Sequence, residues 1–434
     1  MMYYSTNKTA PNASLQEAVV NGLAPDRGLY MPLHIPLLPK SFFDEISEKS
    51  LVEIASVVAN AFFGEDIPKD QLNAIVADTL NFDIPLVEIE KDIYVLELFH
   101  GPTFAFKDVG ARFMARMLSY FVKEHKQDDV KVLVATSGDT GSAVANGFLG
   151  VEGIQVYVLY PSGKVSEIQE AQFTTLGQNI VALEVDGTFD DCQALVKSAF
   201  MDKELKEQLN LTSANSINVA RFLPQSFYYF YAYAQLAKNG STNDVVFSVP
   251  SGNLGNLTAG LFAKEMGLPI NRFIAANNRN DVFSKFLQSG VYTPKSSVQT
   301  IANAMDVGAP SNFERIYDLY ESSHNAIKND ITGYSYSDEQ IREVIKTLFN
   351  NTGYLIDPHG ACAYMALKEG KKEGETGVLL ATAHPAKFID TVEGCIESKV
   401  KIPEGLAKFM ELKKQSYALS NDFNQFKKTL MSLS

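Results

Sequence analysis

The stretch VKVLVATSGDTGSAVANGF at residues 130–148 decides the fold. It begins with apolar residues rich in valine, which favour a buried β-strand. The small residues SGDTG at 137–141 then form a tight turn, and AVANGF has the composition of a helix. A buried strand that leads through a glycine-rich turn into a helix is typical of an α/β protein with a parallel sheet.

The same strand signal recurs along the chain, each time between segments of helical composition. Further strands are predicted at 154–161 (IQVYVLYP), 179–185 (NIVALEV), 244–250 (DVVFSVP), 272–278 (RFIAANN) and 377–383 (GVLLATA). Continuous apolar strands that alternate with helices indicate parallel sheets covered on both faces. Because ligands bind such sheets beyond the carboxyl ends of the strands, functional residues are expected in the loops that follow them.

The region before these strands has a different pattern. From Leu15 to about Asp92 the sequence is mostly helical, interrupted by the proline-rich turn MPLHIPLLPK at 31–40. Segment 51–63, LVEIASVVANAFF, carries apolar residues at helical spacing. We therefore predict a separate N-terminal unit.

Composition narrows the class of protein. The chain has 434 residues, 46% of them hydrophobic and 21% charged, as in a globular protein of two or three packed units. A formal charge of −13 disfavours nucleic acid and anionic membranes as partners, but a locally positive cleft can still hold an anionic small molecule.

Cys192, Cys362 and Cys395 form no CxxC pair, so we predict no metal site and reduced thiols in the cytoplasm. The sequence shows no signal-peptide pattern and no apolar run near the roughly 20 residues of a membrane helix, and it gives no indication of the oligomeric state.

The stretch ELFHGPTFAFKDVGAR at 97–112 places Lys107 between aromatic residues and an amphipathic helix. Partial burial would lower the pKa of its amine and make the amine a nucleophile towards aldehydes; the alternative is a solvated lysine at a helix start. Glu97, Thr103 and the string AFKDVG at 105–110 resemble the attachment motif of the serine/threonine dehydratase family of pyridoxal-phosphate enzymes. The resemblance implies that Lys107 binds pyridoxal 5'-phosphate covalently and is the catalytic residue.

The turn ATSGDTGSA at 135–143 offers free N–H groups at a helix start, which suits an anion or simply a tight turn. It lacks the GxGxxG spacing of a dinucleotide site. It resembles the loop that holds the substrate α-carboxylate in the same family. The resemblance places Asp139 beside the phenolic oxygen of the cofactor, where many relatives carry asparagine, and leaves its protonation open. It assigns the substrate carboxylate to Ser137, Gly138, Thr140 and Gly141.

The loop VPSGNLGNLTAGLFAKEMG at 249–267 also joins a strand to a helix. Its glycines and asparagines expose backbone donors suited to phosphate, although such residues also form ordinary turns. No GK[ST] follows, so it is not a nucleotide P-loop. It is similar to the cradle for the cofactor phosphate, which assigns that role to Gly252, Asn253, Leu254, Gly255 and Asn256.

Two further segments resemble functional stretches of threonine synthases. In ATAHPAKF at 381–388, the resemblance places Thr382 at the pyridine nitrogen of the cofactor. In NSINVARFLPQ at 215–225, it assigns the substrate phosphate to Asn215, Ser216 and Arg221, with Lys387 as a second candidate. On spacing alone, NSINVARFLPQ is about as compatible with a polar helix start and a surface arginine as with a functional role. Lys387 is likewise compatible with an ordinary surface loop.

The resemblance covers about residues 15–395 and implies an α/β fold of the tryptophan-synthase-β-like type (fold type II), with two parallel-sheet domains and a mainly helical N-terminal domain. The predicted limits are 1–95 for the N-terminal domain, 96–124 with 211–434 for the large cofactor-binding domain, and 125–210 for the small domain.

The AHPAKF and NSINVAR strings are similar to bacterial and fungal threonine synthases, lyases that make L-threonine and phosphate from O-phospho-L-homoserine and water in the last step of threonine biosynthesis. The implied reaction is γ-elimination of phosphate followed by β-addition of water. The resemblance implies that Lys107 removes the α-proton, and either Lys107 or the departing phosphate handles the later protons. The alternatives are a threonine or serine dehydratase, which needs no substrate-phosphate pocket, and an inactive relative that serves as a binding protein.

Overall fold

The computed structural model describes residues 1–125 and 129–433. Three sheets contain all the strands of this part of the chain. The first sheet is small and antiparallel, and the same N-terminal part of the chain contains four helices. These elements are β1 (Met2–Ser5), β2 (Ala13–Ser14), α1 (Leu15–Asn21), β3 (Tyr30–Pro32), α2 (Lys40–Asp44), α3 (Leu51–Phe63) and α4 (Lys69–Thr79).

Local sequence explains where the N-terminal helices begin. Ser14 Oγ accepts a hydrogen bond from Glu17 N, and the Glu17 carboxylate accepts one from Ser14 N, so α1 starts with a capping box. Ser50 and Glu53 do the same for α3, the helix predicted at 51–63. The apolar positions of α3 are buried, which fixes the helix against its neighbours.

The middle of the chain alternates strand and helix, as predicted. Its elements are β4 (Leu86–Glu90), β5 (Ile93–Glu97), α5 (Lys107–His125), β6 (Val130–Ala135), α6 (Asp139–Phe148), β7 (Ile154–Pro161), α7 (Glu167–Thr174), β8 (Ile180–Asp186), α8 (Phe189–Met201), α9 (Lys203–Gln208) and β9 (Asn210–Ser213).

The remaining elements continue this alternation. They are α10 (Val219–Phe222), α11 (Ser226–Lys238), β10 (Val246–Pro250), α12 (Gly255–Glu265), β11 (Arg272–Asn277), α13 (Val282–Ser289), α14 (Phe313–Leu319), α15 (His324–Asp330), β12 (Ile331–Ser335), α16 (Asp338–Thr352), α17 (Pro358–Gly370), β13 (Gly377–Ala381), α18 (Ile389–Ile396), α19 (Glu404–Met410), β14 (Tyr417–Ser420) and α20 (Phe423–Leu433).

Two larger sheets organise the molecule. The five-stranded sheet has the order β14-β8-β7-β6-β9, and all its pairs are parallel. The six-stranded sheet has the order β12-β11-β10-β13-β5-β4 and is parallel except for β4, which runs antiparallel to β5. The predicted α/β class with two parallel-sheet units is confirmed, and each strand predicted from an apolar run lies in one of these sheets.

Sheet membership differs from the predicted domain limits in three places, and the limits themselves stay a prediction. Strand β9 lies mostly beyond residue 210, the predicted end of the small domain, but pairs with β6 of the five-stranded sheet. Strands β4 and β5 belong to the six-stranded sheet, although residues up to 95 were assigned to the N-terminal domain. Strand β14 leaves the predicted large domain and pairs with β8 of the five-stranded sheet. Its sequence YALS is short and mostly exposed, so it carries no apolar run that would reveal a strand. Residues 126–128, at the predicted start of the small domain, and residue 434 lie outside the described residues.

Within the described ranges, no helix combines the length and apolar character needed to cross a membrane. The sheets position the functional loops instead. Parallel strands in one sheet end on the same side, so the loops after β5, β10 and β13 emerge together, and the loop after β6 faces them from the other sheet.

Candidate active site

The loops after β5, β6, β10 and β13 enclose a cavity of about 90 Å³. Most of the residues predicted from the sequence to form the site line it. They are Lys107, Ser137, Asp139, Thr140, Asn215, Ser216, Arg221, Gly252, Asn253, Leu254, Gly255, Asn256 and Thr382. A wider cleft of about 520 Å³ shares Ser137 and Phe189 with this cavity, so the two adjoin between the parallel sheets.

Lys107 is the first residue of α5, and backbone pairing with a distant segment of the chain fixes its position. Ala105 forms an antiparallel bridge with Ala383, and Phe106 N donates to the carbonyl of Thr382 at 2.9 Å. The lysine motif and the Thr382 loop are therefore held side by side. Burial lowers the pKa of the Lys107 amine to about 8, so about a tenth of the amine is unprotonated at pH 7, far more than for a solvated lysine.

Asp139 is buried between two lysines. Its Oδ1 lies 2.6 Å from Lys387 Nζ and accepts a hydrogen bond from Gln169 Nε2 at 2.8 Å. Its Oδ2 lies 3.9 Å from Lys107 Nζ. Burial acts to raise the pKa of the Asp139 carboxyl, but Lys387 and Lys107 together hold it below the usual range, so the carboxyl is ionised.

Lys387 lines the wider cleft and not the smaller cavity. Its side chain is buried and donates to the carbonyl of Thr103 at 2.8 Å as well as pairing with Asp139, and its contact with a substrate phosphate stays a prediction. Both strong interactions of its ammonium group are thus intramolecular. The sequence could not reveal this, because Asp139 and Lys387 are far apart in the chain.

The loop after β10 has the form of an anion cradle. Leu254 adopts a left-handed conformation with φ 62°, and α12 begins directly after it at Gly255. The first N–H groups of a helix have no partner within it and favour negative charge. A Cβ at Gly252 would lie 2.8 Å from the Ala304 carbonyl oxygen, and one at Gly255 would lie 2.9 Å from Ser216 Cβ, so both positions require glycine.

An unsatisfied donor also lies in this loop. The Asn256 side chain accepts from the Tyr229 hydroxyl at 2.9 Å through Oδ1, while its buried Nδ2 has no partner. A buried donor without a partner is costly, and a phosphate bound at the helix start would satisfy it. With the reactive Lys107 amine in the same cavity, these residues fit pyridoxal phosphate.

A second cationic group faces the cavity. Arg221 is 3% exposed, its Nη1 donates to the Lys107 carbonyl at 3.3 Å, and its buried Nε has no partner. Burial lowers the pKa of the guanidinium to about 10, which still leaves it protonated at neutral pH. Ser216 and Asn215 lie beside it, and Asn312 Nδ2 donates to Ser216 Oγ at 3.1 Å. Arg221 therefore offers a positive charge to an anion in this cavity, while Ser216 also borders Gly255 at the start of α12.

Gly138 and Gly141 shape the turn after β6 and do not line the cavity. Their N–H groups both donate to Thr136 Oγ1, at 2.9 and 2.8 Å. Gly138 has φ 142°, a region that side chains rarely adopt. In this conformation Ser137, Asp139 and Thr140 are the members of the turn that line the cavity.

Two contributors were missed from the sequence. His359 lines the cavity; its Nε2 accepts from Ala304 N at 3.1 Å, so Nδ1 carries the proton and donates to Asp357 at 2.6 Å. Arg315 is fully buried and donates to the carbonyls of Ser216, Ile217 and Tyr30. A buried arginine of this kind fixes the anion-binding segment, but nothing in the local pattern of α14 distinguishes it from a surface residue.

Comparisons with known proteins were consistent along the whole chain. The family model "Threonine synthase N terminus" matches residues 2–80, "Pyridoxal-phosphate dependent enzyme" matches 79–382, and "Threonine synthase, C-terminal" matches 359–430. A curated threonine synthase of Serratia marcescens is 44% identical over 433 residues, covering 100% of both chains.

Solved structures agree with the sequence matches. The crystal structure of threonine synthase from Escherichia coli has a TM-score of 0.94 and 42% identity, covering 100% of both chains. The crystal structure of PLP-bound threonine synthase from Brucella melitensis has a TM-score of 0.92 and 35% identity, covering 100% of this chain and 99% of that one.

Proposed function

The chain belongs to the threonine synthase family of pyridoxal-phosphate-dependent enzymes, and from this premise we propose that it converts O-phospho-L-homoserine and water into L-threonine and phosphate. The observation that carries the choice of substrate is the buried Arg221 guanidinium, which lines the cavity and pairs with no carboxylate among residues 1–125 and 129–433. An enzyme that acts on a phosphorylated substrate needs an anion site separate from the one that holds the cofactor phosphate. Arginine suits that task because its planar donors match phosphate oxygens.

The enzyme uses pyridoxal 5'-phosphate, and we assign its contacts as follows. Lys107 attaches the cofactor, residues 252–256 hold its phosphate at the start of α12, and Thr382 lies at its ring nitrogen. Asp139 faces the phenolic oxygen. When bound, the cofactor supplies an electron sink that stabilises negative charge on the substrate carbon atoms.

The residues of the chain then act on the substrate. Ser137 and Thr140 orient the α-carboxylate, and Arg221 with Asn215 and Ser216 binds the phosphate group. The Lys107 amine removes the proton at Cα, for which its lowered pKa of about 8 suits it near neutral pH. Loss of a proton from Cβ supplies the electron pair that expels phosphate from Cγ. A proton then adds at Cγ, water adds at Cβ, and a proton returns to Cα. The buried site limits the entry of further water, which would compete for reactive carbon atoms.

A dehydratase would use the same lysine motif on threonine or serine and would release ammonia and a 2-oxo acid. It has no use for a second anion site, and family models specific to threonine synthases match both ends of this chain. The threonine synthase function therefore has the stronger support.

A product assay tests the proposal. The enzyme is incubated with O-phospho-L-homoserine, and phosphate and L-threonine are measured together with 2-oxobutanoate. We expect phosphate and threonine in equal amounts. Formation of 2-oxobutanoate from threonine, or of pyruvate from serine, without phosphate release from O-phospho-L-homoserine, would refute the assignment in favour of the dehydratase.

A further inference from the structure

Three buried ionisable groups meet where the two parallel-sheet units face each other. Asp139 lies at the start of α6, in the unit of the five-stranded sheet. Lys107 and Lys387 follow β5 and β13 of the six-stranded sheet. The side chain of Asp139 is 2% exposed, that of Lys387 is 0% exposed and that of Lys107 is 17% exposed, so water screens their charges poorly.

The two oxygens of Asp139 have different surroundings. Oδ1 is held by Lys387 Nζ at 2.6 Å and by Gln169 Nε2 at 2.8 Å. Oδ2 faces Lys107 Nζ at 3.9 Å, which is beyond hydrogen-bonding distance. The carboxylate is therefore fixed by Lys387 and Gln169, and Lys107 remains free of a direct hydrogen bond to it.

An ionised carboxylate so close to Lys107 presents a difficulty for catalysis. Opposite charge stabilises an ammonium group, whereas attachment of the cofactor aldehyde and removal of the Cα proton both need the free amine. A second cation beside the carboxylate removes this difficulty. The Lys387–Asp139 pair has no net charge, so it stabilises the protonated form of Lys107 much less than Asp139 alone would.

We propose that Lys387 is a positioning residue that neutralises Asp139, so that Asp139 can stand beside Lys107 without holding its amine in the protonated form. This differs from a role in binding the substrate phosphate, since Lys387 lies outside the small cavity and its ammonium is engaged by Asp139 and the Thr103 carbonyl. The inference rests on the proposed role of Lys107 but not on the identity of the substrate.

Other charged groups near Lys107 stay the same when this pair is changed. Arg221 acts to lower the pKa of the Lys107 amine and Asp357 acts to raise it, while burial has the largest effect and lowers it. The ring of Phe106 lies 4.8 Å from Lys107 Nζ. Differences between variants at Asp139 and Lys387 therefore report on this pair.

The test measures the titration of Lys107 in the full-length apoenzyme. Each protein is exposed briefly to trinitrobenzenesulfonate over a range of pH, and modification of the Lys107 peptide is quantified by mass spectrometry. The wild-type midpoint is expected near pH 8. Lys387→Met should raise the midpoint by about 1 to 3 pH units, because the negative charge of Asp139 is then no longer offset by Lys387 and favours the protonated form of Lys107. Asp139→Asn should lower it, and the double variant should return close to the wild type.

Matched controls separate this effect from damage to the fold. Lys264 and Asp330 form a lysine–aspartate pair at 2.8 Å outside the site, so Lys264→Met and Asp330→Asn should leave the Lys107 midpoint unchanged. Lys387→Arg keeps the charge and should also keep the midpoint. Thermal unfolding of each variant identifies loss of structure; if Lys387→Met does not fold, Asp139→Asn and the double variant still decide the question.

A purely structural Lys387 would change the unfolding temperature and leave the midpoint alone. An unchanged or lowered midpoint in Lys387→Met overturns the proposal, as does a double variant that differs from the wild type more than either single variant does. Because the apoenzyme assay contains no substrate, either result would leave the proposed reaction untouched.

Discussion

Replacement of Arg221 by alanine tests the proposed phosphate site most directly. The guanidinium is 3% exposed and has no carboxylate within salt-bridge distance among the described residues, so its charge is available to an anion in the cavity. Loss of a buried charged partner of an anion costs about 2–5 kcal/mol. Since 1.36 kcal/mol corresponds to tenfold, kcat/KM for O-phospho-L-homoserine should fall by roughly 30-fold to several thousand-fold.

The form of the loss is also predicted. Arg221→Lys should recover only part of the activity, because an ammonium group keeps the charge but lacks the planar pair of donors. Cofactor affinity should hardly change, since residues 252–256 are assigned to the cofactor phosphate. Arg342 is exposed, so Arg342→Ala controls for loss of one positive charge and should keep kcat/KM.

The assay combines steady-state phosphate release with a titration of the apoenzyme with pyridoxal phosphate. If the Arg221→Ala variant loses affinity for the cofactor but keeps the wild-type KM, then Arg221 binds the cofactor and not the substrate. A variant with unchanged kcat/KM would show that the substrate phosphate lies elsewhere. Either result contradicts the assignment.

Four further predictions concern the rest of the site. Borohydride reduction of the holoenzyme should attach the cofactor to the Lys107 peptide, and mass spectrometry that finds it on another lysine would contradict the assignment. Thr382→Asp should lower turnover more than cofactor retention, because a carboxylate would favour protonation of the ring nitrogen; wild-type turnover in this variant would exclude the assigned role. Lys107→Ala should stabilise the apoenzyme at pH 7 by about 1–3 kcal/mol, because the folded wild type must bury a protonated amine. This gain should disappear as the pH rises from about 8 towards the pKa of an unfolded lysine, since the unfolded wild type binds more protons than the folded form over that range. Chemical denaturation at several pH values measures the difference in the free energy of unfolding. Arg315→Ala should lower the free energy of unfolding by about 3 kcal/mol or more, since three buried carbonyls lose a donor, and denaturant unfolding with a change below about 1 kcal/mol would refute this role.

The sequence predicted those parts of the fold whose signal is local. The strands at 130–136, 154–161 and 377–383 are continuous apolar runs, so burial on both sheet faces could be inferred from composition alone. Strand β12 (ITGYS) is partly exposed, and β14 is mostly exposed; neither has such a run. Edge strands of this kind are recognised only once their neighbours are known.

The site residues, too, could be predicted only where the signal is local. Contiguous motifs after strands gave Lys107, Thr382 and the 252–256 loop, and the structure brings these into one cavity. The roles that depend on contacts between distant segments could not be inferred from spacing. The pairing of Lys387 with Asp139 and the use of the Gly138 amide by Thr136 are of this type.

The position of β14 has a consequence for biosynthesis. The edge of β8 is complete only when Tyr417–Ser420 pairs with it, and α20 then buries Phe426 and Leu430 in the same apolar cluster as α8. Roughly 230 residues are translated between Asp186 and Tyr417, which takes about 10 to 50 s at 5–20 residues per second. During that interval the nascent five-stranded sheet exposes an unpaired parallel edge and an uncovered helix face, both of which can associate with other chains. Any dependence on chaperones during synthesis should therefore centre on this sheet. Lys107 and the loop after β6 are translated before this interval begins.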